Sequence, residues 1–455
     1  MKDFYRHLLL TAAVVAMAAV PSFAQDNEVA DAHTGATQHA DGHTGATQRS
    51  NHDFLKEMAS RLTIGGYGEA VMTRNFYSDH FNRYKYPEQH SDDDSHGQFD
   101  LPHVVINLGY DFGRGWTVGM EIEFEHGGTE SAVEVDADES GEYEAETEKG
   151  GEVALEQFWI EKSWSSALNL RIGEIIVPVG ATNSHHMPTE FFTSYRPEGE
   201  ASIFPCTWHQ TGISLWGKAG VWRYEGQFLS GLDSERFGSD CFIHYGATSC
   251  YEYKIANVYA AAARVDNHSV PGLRMSLSGY IGNSFKNKLR SAGAKYDDVK
   301  GTVKIGSFDF LYDAHNIIAR GNVDVATLSD AQLITTYNNS YPKHSGQDGS
   351  PSKHQPIGDK ALAWGVEAGY NLMGLADRAD ANQKFVLFGR YEYYNPMQEG
   401  THKEGYKWTE KRRWAIGLNY MPMKEIVVKA EFSKRNLNSA YNDEPSVSMS
   451  IAFAY

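Results

Sequence analysis

From Leu62 to the carboxyl terminus, apolar and polar positions alternate in short runs, most plainly in the last ten residues. Val447, Met449, Ile451, Phe453 and Tyr455 share one parity; Ser448, Ser450, Ala452 and Ala454 share the other. Successive side chains of an extended chain point to opposite faces, so this is a two-faced strand ending on an aromatic residue. The design predicts strands starting at Leu62 and over 99–110, 117–125, 153–161, 168–177, 212–217, 221–229 and 255–265. It continues over 272–281, 302–312, 315–323, 361–370, 384–394, 413–421, 425–433 and 446–455.

The connections between these sixteen runs alternate, seven short and eight long, and a soluble two-sheet protein has no reason to sort its loops in this way. An even number of strands of bilayer-crossing length returns the chain to the side where it began. Closing the sheet satisfies every backbone group that lipid cannot. The expectation is all-β: a transmembrane antiparallel β-barrel of about 16 strands over 62–455, with short periplasmic turns and long extracellular loops.

The amino terminus adds a compartment. Lys2 and Arg6 precede an apolar run over 8–20 and the small-residue site Ser22-Phe23-Ala24, which reads as a signal peptide over 1–24. Residues 25–61 read as a flexible periplasmic tail in which His-Thr-Gly-Ala-Thr-Gln occurs twice, at 33–38 and 43–48. His33, His39, His43 and His52 lie there without cysteine or a fixed geometry, as expected of a solvated linker. The formal net charge is −18, and the acidic surplus lies partly in the loops, as in Asp92-Asp93-Asp94 and over 126–152.

Charge within the strands falls on the parity opposite the apolar face, which assigns it to a wet interior. The pore-lining candidates are Glu69, Glu121, Glu123, Glu125, Arg171, Arg223, Glu225, Glu367, Arg390, Glu392, Arg413, Lys429 and Glu431. Glu121, Glu123 and Glu125 stand about 6.7 Å apart along one strand. Each adjacent pair repels by only about 0.6 kcal/mol in bulk-like water, which a wet lumen tolerates. Together with the acidic loops, the row favours cations or neutral solutes; pairing with interior lysines and arginines is the alternative. Trp and Tyr, 9 and 26 in number, suit girdles at the two membrane interfaces.

Several short motifs carry a resemblance. Ile64-Gly65-Gly66-Tyr67-Gly68, Leu168-Asn169-Leu170-Arg171-Ile172-Gly173 leading to Pro178-Val179-Gly180, and Phe308-Asp309-Phe310-Leu311-Tyr312-Asp313 resemble the phosphate-selective porin O/P-like group of Gram-negative outer membranes, particularly its Bacteroidetes-type relatives. The resemblance covers 62–455. It implies a diffusion channel for small hydrophilic solutes or ions, contact with outer-membrane lipid, assembly as a homotrimer, and a third long loop, here 178–211, that can fold into the lumen. Phosphate-selective members have an arginine-rich path, whereas Arg171, Arg223, Arg390 and Arg413 are scattered here among carboxylates. A weakly cation-preferring or non-selective porin is therefore the first expectation, with an anion- or phosphate-selective porin and a surface structural or adhesive barrel as alternatives.

No Gly-x-Ser-x-Gly, His-Glu-x-x-His or phosphate-cradling glycine loop occurs, so no enzyme, cofactor or nucleic-acid partner is expected. His185-His186 and Cys206-x-x-His209 lack a complete ligand set, and no metal site is assigned to them. Cys241 and Cys250 share one outward loop of a secreted chain and are expected to form a disulfide, leaving Cys206 odd.

Overall fold

A computed structural model describes residues 57–455 except 85, 128–130, 138–142, 150–151, 248–253, 290–291, 341–355, 376–382, 402, 439 and 441–442. The signal peptide, nearly all of the tail with its four histidines, and Cys250 of the expected disulfide lie outside the described residues.

The strands are β1 (Leu62–Asn75), β2 (His96–Asp100), β3 (His103–Gly113), β4 (Trp116–Glu125), β5 (Ser131–Ala137), β6 (Tyr143–Lys149), β7 (Glu152–Ser165), β8 (Leu168–Ile176), β9 (His209–Ala219) and β10 (Trp222–Ser230). They continue as β11 (Tyr259–Val270), β12 (Leu273–Asn283), β13 (Thr302–Ala314), β14 (Ile317–Leu328), β15 (Lys360–Asn371), β16 (Lys384–Glu399), β17 (Lys411–Met423), β18 (Ile426–Leu437) and β19 (Glu444–Ala454). β5 and β6 pair only with each other, a hairpin within the long acidic loop that the alternation did not reveal. The rest form one antiparallel sheet that closes where β1 pairs with β19, from Tyr67 opposite Ala454 to Asn75 opposite Ser446.

β2 and β3 are two pieces of one stave. β1 pairs with β3 from Leu62 opposite Tyr110 to Gly68 opposite Val104, then with β2 from Val71 opposite Asp100 to Asn75 opposite His96. Between the pieces stand Leu101 and Pro102, and proline has no N–H to give the ladder. Sixteen staves result, as expected.

The short connections gather at one end and the long ones at the other. At the short end, His315 and Asn316 both take positive φ, 54° and 64°, the twist that a two-residue hairpin requires. The turn between β15 and β16 is longer, spanning 372–383 with a helical turn at Leu372–Leu375.

The two faces follow the parity in the sequence. On β15, Trp364, Val366 and Ala368 are exposed while Ala363, Gly365 and Glu367 are buried. Ile64, Ile106, Ile160, Ile213, Leu277, Ile416 and Ile451 continue the exposed apolar belt around the wall. Burial inside has two characters, so the expected charged, wet interior accounts for only part of the wall. Toward the long-loop end, the inward positions of β11 to β15 are small or apolar, including Ala260, Ala262, Val303, Ile305, Ala326, Ala361 and Ala363. Leu232, Phe237, Phe242, Ile243, Phe285, Ile334 and Tyr337 from the loops pack against them. The outer half of that side is thus filled by a hydrophobic core, and the charged residues concentrate elsewhere on the wall.

Candidate functional site

Residues 177–208, between β8 and β9, turn into the barrel and cross it. Asn183 clamps both ends of the excursion. Its side-chain amide donates to the carbonyls of Val177 at 2.6 Å and Trp208 at 3.0 Å, and its Oδ1 accepts from the Trp208 N–H. Next to it, the Glu200 carboxylate accepts from the N–H groups of Ala181, Thr182 and Asn183 and from the Thr182 hydroxyl. Gly180, at φ 89°, permits this cradle, since a Cβ there would stand 2.2 Å from Glu200 Oε1.

The far wall holds the loop through residues that parity had placed inside. Lys429 Nζ donates to three loop carbonyls, of Pro188 at 2.6 Å, Thr193 at 2.8 Å and Phe191 at 3.0 Å. Glu431 accepts from the Ser194 N–H at 3.1 Å, and Glu392 from the Gly199 N–H at 2.9 Å. Phe192 stacks on Phe388 with centroids 5.2 Å apart, beside Ile318, Val386 and Ala415. The loop's helix, Glu198–Ile203, presents Glu198 to the Tyr394 hydroxyl and the Arg413 guanidinium, each at 2.6 Å.

Between loop and wall remains a cavity of about 210 Å³. Its wall side carries Arg274, Arg320, Arg390 and Glu367; its loop side carries Thr182, His185, Glu190 and Phe191. Arg320 and Arg390 both pair with Glu367, at 2.6 and 2.9 Å, while Arg274 pairs with Asp309 at 3.1 Å. The guanidinium side chains are 13%, 26% and 7% exposed for Arg274, Arg320 and Arg390, against 1% and 0% for Asp309 and Glu367. A solute in the cavity therefore meets the N–H donors of Arg274 and Arg320, with Asp309 and Glu367 behind them and the Glu190 carboxylate facing them from the loop. On the loop, burial pushes the Glu190 carboxyl upward, but the His185 and His186 imidazoles and the Met187 N–H outweigh it and hold Glu190 below the usual carboxylate range.

The remaining predicted residues also point inward but do different work. Arg171 pairs with Glu161 at 2.8 Å and lies over the Trp159 ring. Arg223 bridges Glu225 at 2.6 Å and Asp266 at 3.4 Å. Glu69, Glu121 and Glu123 are buried, with Glu123 hydrogen-bonded to His103 at 2.5 Å, and Glu125 is half-buried. Cys206 is exposed beside Arg196, and His209 pairs with Glu174 at 2.6 Å. Arg264, Arg274, Arg320 and Asp309 were missed as interior residues. Their signal was present, since charge within an apolar strand has nowhere else to point.

No family model matches the chain. An uncharacterized protein of Aquifex aeolicus (strain VF5) is 25% identical over 386 residues, covering 82% of this chain and 76% of that protein. Among solved structures, Salmonella typhi OmpF in complex with daunomycin is 10% identical over 87% of this chain and 97% of its own, with a TM-score of 0.50. Pseudomonas putida OprB is 8% identical over 89% and 96% of the two chains, with a TM-score of 0.49. An anion-selective porin from Comamonas acidovorans is 11% identical over 87% and 99%, with a TM-score of 0.47. The likeness to OmpF is one of fold, and the fold is a sixteen-stranded antiparallel barrel.

Proposed function

We propose that this protein is an outer-membrane porin through which small hydrophilic solutes diffuse passively. The observation that carries this reading is the arrangement around the inward loop: an apolar belt outside, a charged wall inside, and a narrow polar cavity between loop and wall. A bilayer matches the belt, because so much contiguous exposed apolar surface is unfavourable in water. The short turns then face the periplasm and the long loops the exterior.

Selectivity is weak on this reading, because each guanidinium at the cavity has a carboxylate partner and the formal charges nearly cancel. The N–H donors of Arg320, and to a lesser degree Arg274, which are the more exposed of the three, tilt the balance toward small anions and polar neutral solutes. A second reading, weak cation preference, has in its favour the net charge of −18 and the acidic loops. The glutamate row supports it less, because Glu121 and Glu123 are 4% and 2% exposed. Planar-bilayer recording of the purified protein tests the function. Stable ohmic steps are expected, and their absence under varied voltage and salt would favour a structural or adhesive barrel. A homotrimer is the assembly implied by the resemblance, and cross-linking of intact membranes tests it.

A further inference from the structure

Across the lumen from the arginines, the loop meets the wall at a second cluster, outside the lining of the cavity described above. It is built on a break in strand pairing. β4 and β7 are in register from Trp116 opposite Lys162 to Glu121 opposite Gln157, but Ile122 then faces Leu155, leaving Glu156 as the extra residue of a bulge. A bulge interrupts alternation and re-aims a side chain. Here Glu156 is buried immediately before Gln157, which donates to Glu121 Oε2.

Above these carboxylates sits His186 of the inward loop. Its Nδ1 is 2.8 Å from the Asn183 carbonyl. Since a carbonyl only accepts, Nδ1 carries a proton, and in the neutral imidazole Nε2 keeps a lone pair. Nε2 faces Glu121 Oε1 at 4.0 Å. Glu121, Glu156 and His186 are 4%, 2% and 9% exposed, and one donor atom from each lies within 4.8 Å of the other two. Glu156 Oε2 is buried with no hydrogen-bond partner. The Glu156 carboxyl also faces Glu123, and carboxylates held this close to one another and to an imidazole, out of water, are unfavourable unless a proton or a cation joins them. The loop's Arg196 also acts on the cluster through its charge, but its hydrogen bonds go to Thr207 and Cys206.

We propose that Glu121, Glu156 and His186 bind a divalent first-row transition-metal ion, of which Zn²⁺ is the representative, and that this ion fastens the inward loop to the wall. The chemistry selects the class. Two carboxylates and a neutral imidazole suit Zn²⁺ or its neighbours, whereas Ca²⁺ takes an all-oxygen shell of six to eight ligands. The hydrogen bond from the far imidazole nitrogen to a backbone carbonyl is the support that orients a metal-binding histidine. Donors about 2 Å from a tetrahedral ion lie roughly 3.3 Å apart, so binding draws the three groups together. In the neighbouring His103, Glu123 and Glu125 group, His103 and Glu123 already bond each other at 2.5 Å.

The inference is independent of conductance, so a closed barrel would not refute it. The test is to strip the full-length purified protein with chelator, dialyse it against Zn²⁺ and count metal per chain, for the wild type and for Glu156→Gln and His186→Ala. The tail histidines are common to all three proteins, so the difference decides. The wild type is expected to hold one equivalent more than either variant, with X-ray absorption showing a nitrogen and oxygen shell at about 2.0–2.1 Å. Heat-modifiable gel mobility verifies folding. If His186→Ala does not fold, the isosteric Glu156→Gln carries the comparison. Equal metal in folded Glu156→Gln and wild type, or no bound metal in the wild type, overturns the proposal.

Discussion

Glu198 and Arg413 meet at 2.6 Å inside the barrel, the first on the helix of the inward loop and the second on β17. Burial pushes the Glu198 carboxyl up, but Arg413, Arg435 and the Tyr394 hydroxyl outweigh it and hold it down to about 2. A carboxylate depressed in the folded state stabilises fully above its unfolded value of about 4.3, and that contribution is lost as pH falls toward 2. The loop should therefore stay docked at pH 5, with conductance and its noise rising only as pH falls from about 4 to 2. Arg413→Gln should produce the same change at neutral pH. Quiet traces from the folded variant at pH 7 would show that the pair does not restrain the loop.

Lys429 offers a second way to release the loop without touching the helix. Replacing it with Met removes the donor to Pro188, Phe191 and Thr193 and leaves three carbonyls to find water, at about 1–3 kcal/mol each if they stay buried. Single-channel conductance should increase while heat-modifiable mobility is retained. Lys429→Arg should restore the wild-type value poorly, because a planar guanidinium cannot reproduce the three-way geometry of an ammonium.

Asp233, just past β10, gives a pH dependence of opposite sign. Burial, with a smaller push from Glu235, raises its carboxyl to about 7. A raised acid stabilises the fold fully below its unfolded value of about 3.9, and this is lost as pH rises through 7. Asp233→Asn keeps the acceptor for the Glu235 N–H and removes the titration. Thermal unfolding in detergent should show the variant gaining on the wild type between pH 4 and 8, by an amount on the order of a few kcal/mol. A difference constant over that range would refute the burial account.

Ion selectivity separates the two charged sectors of the wall. Across a potassium chloride gradient, Arg320→Gln should shift the reversal potential toward cations, because it removes the most exposed of the three guanidinium groups at the cavity. Glu121→Gln, Glu123→Gln and Glu125→Gln combined should shift it little, because the first two lie buried beneath the loop. The reverse ranking would place the permeation path along the glutamates and restore the cation-preferring reading.

The alternation from Leu62 onward was sufficient to foretell sixteen staves, the sorting of loops by length, and which parity faces inward. Each of these follows from a period of two and from the cost of an unpaired backbone in lipid, and both are local properties of a strand. Ser446 to Phe453, for instance, pair with β1 and β18 in the register their parity demands. The work done by the interior residues was another matter. That Lys429 would hold Phe191, 238 residues earlier, or that Arg274, Arg320 and Arg390 would share one cavity, depends on barrel closure and on a loop that crosses to the opposite wall. Glu156 was hidden for a related reason, because a bulge is a mismatch between two strands and has no signature in either one alone. Strand identity was thus written in neighbouring residues, whereas the passage was decided in three dimensions by contacts between residues hundreds of positions apart.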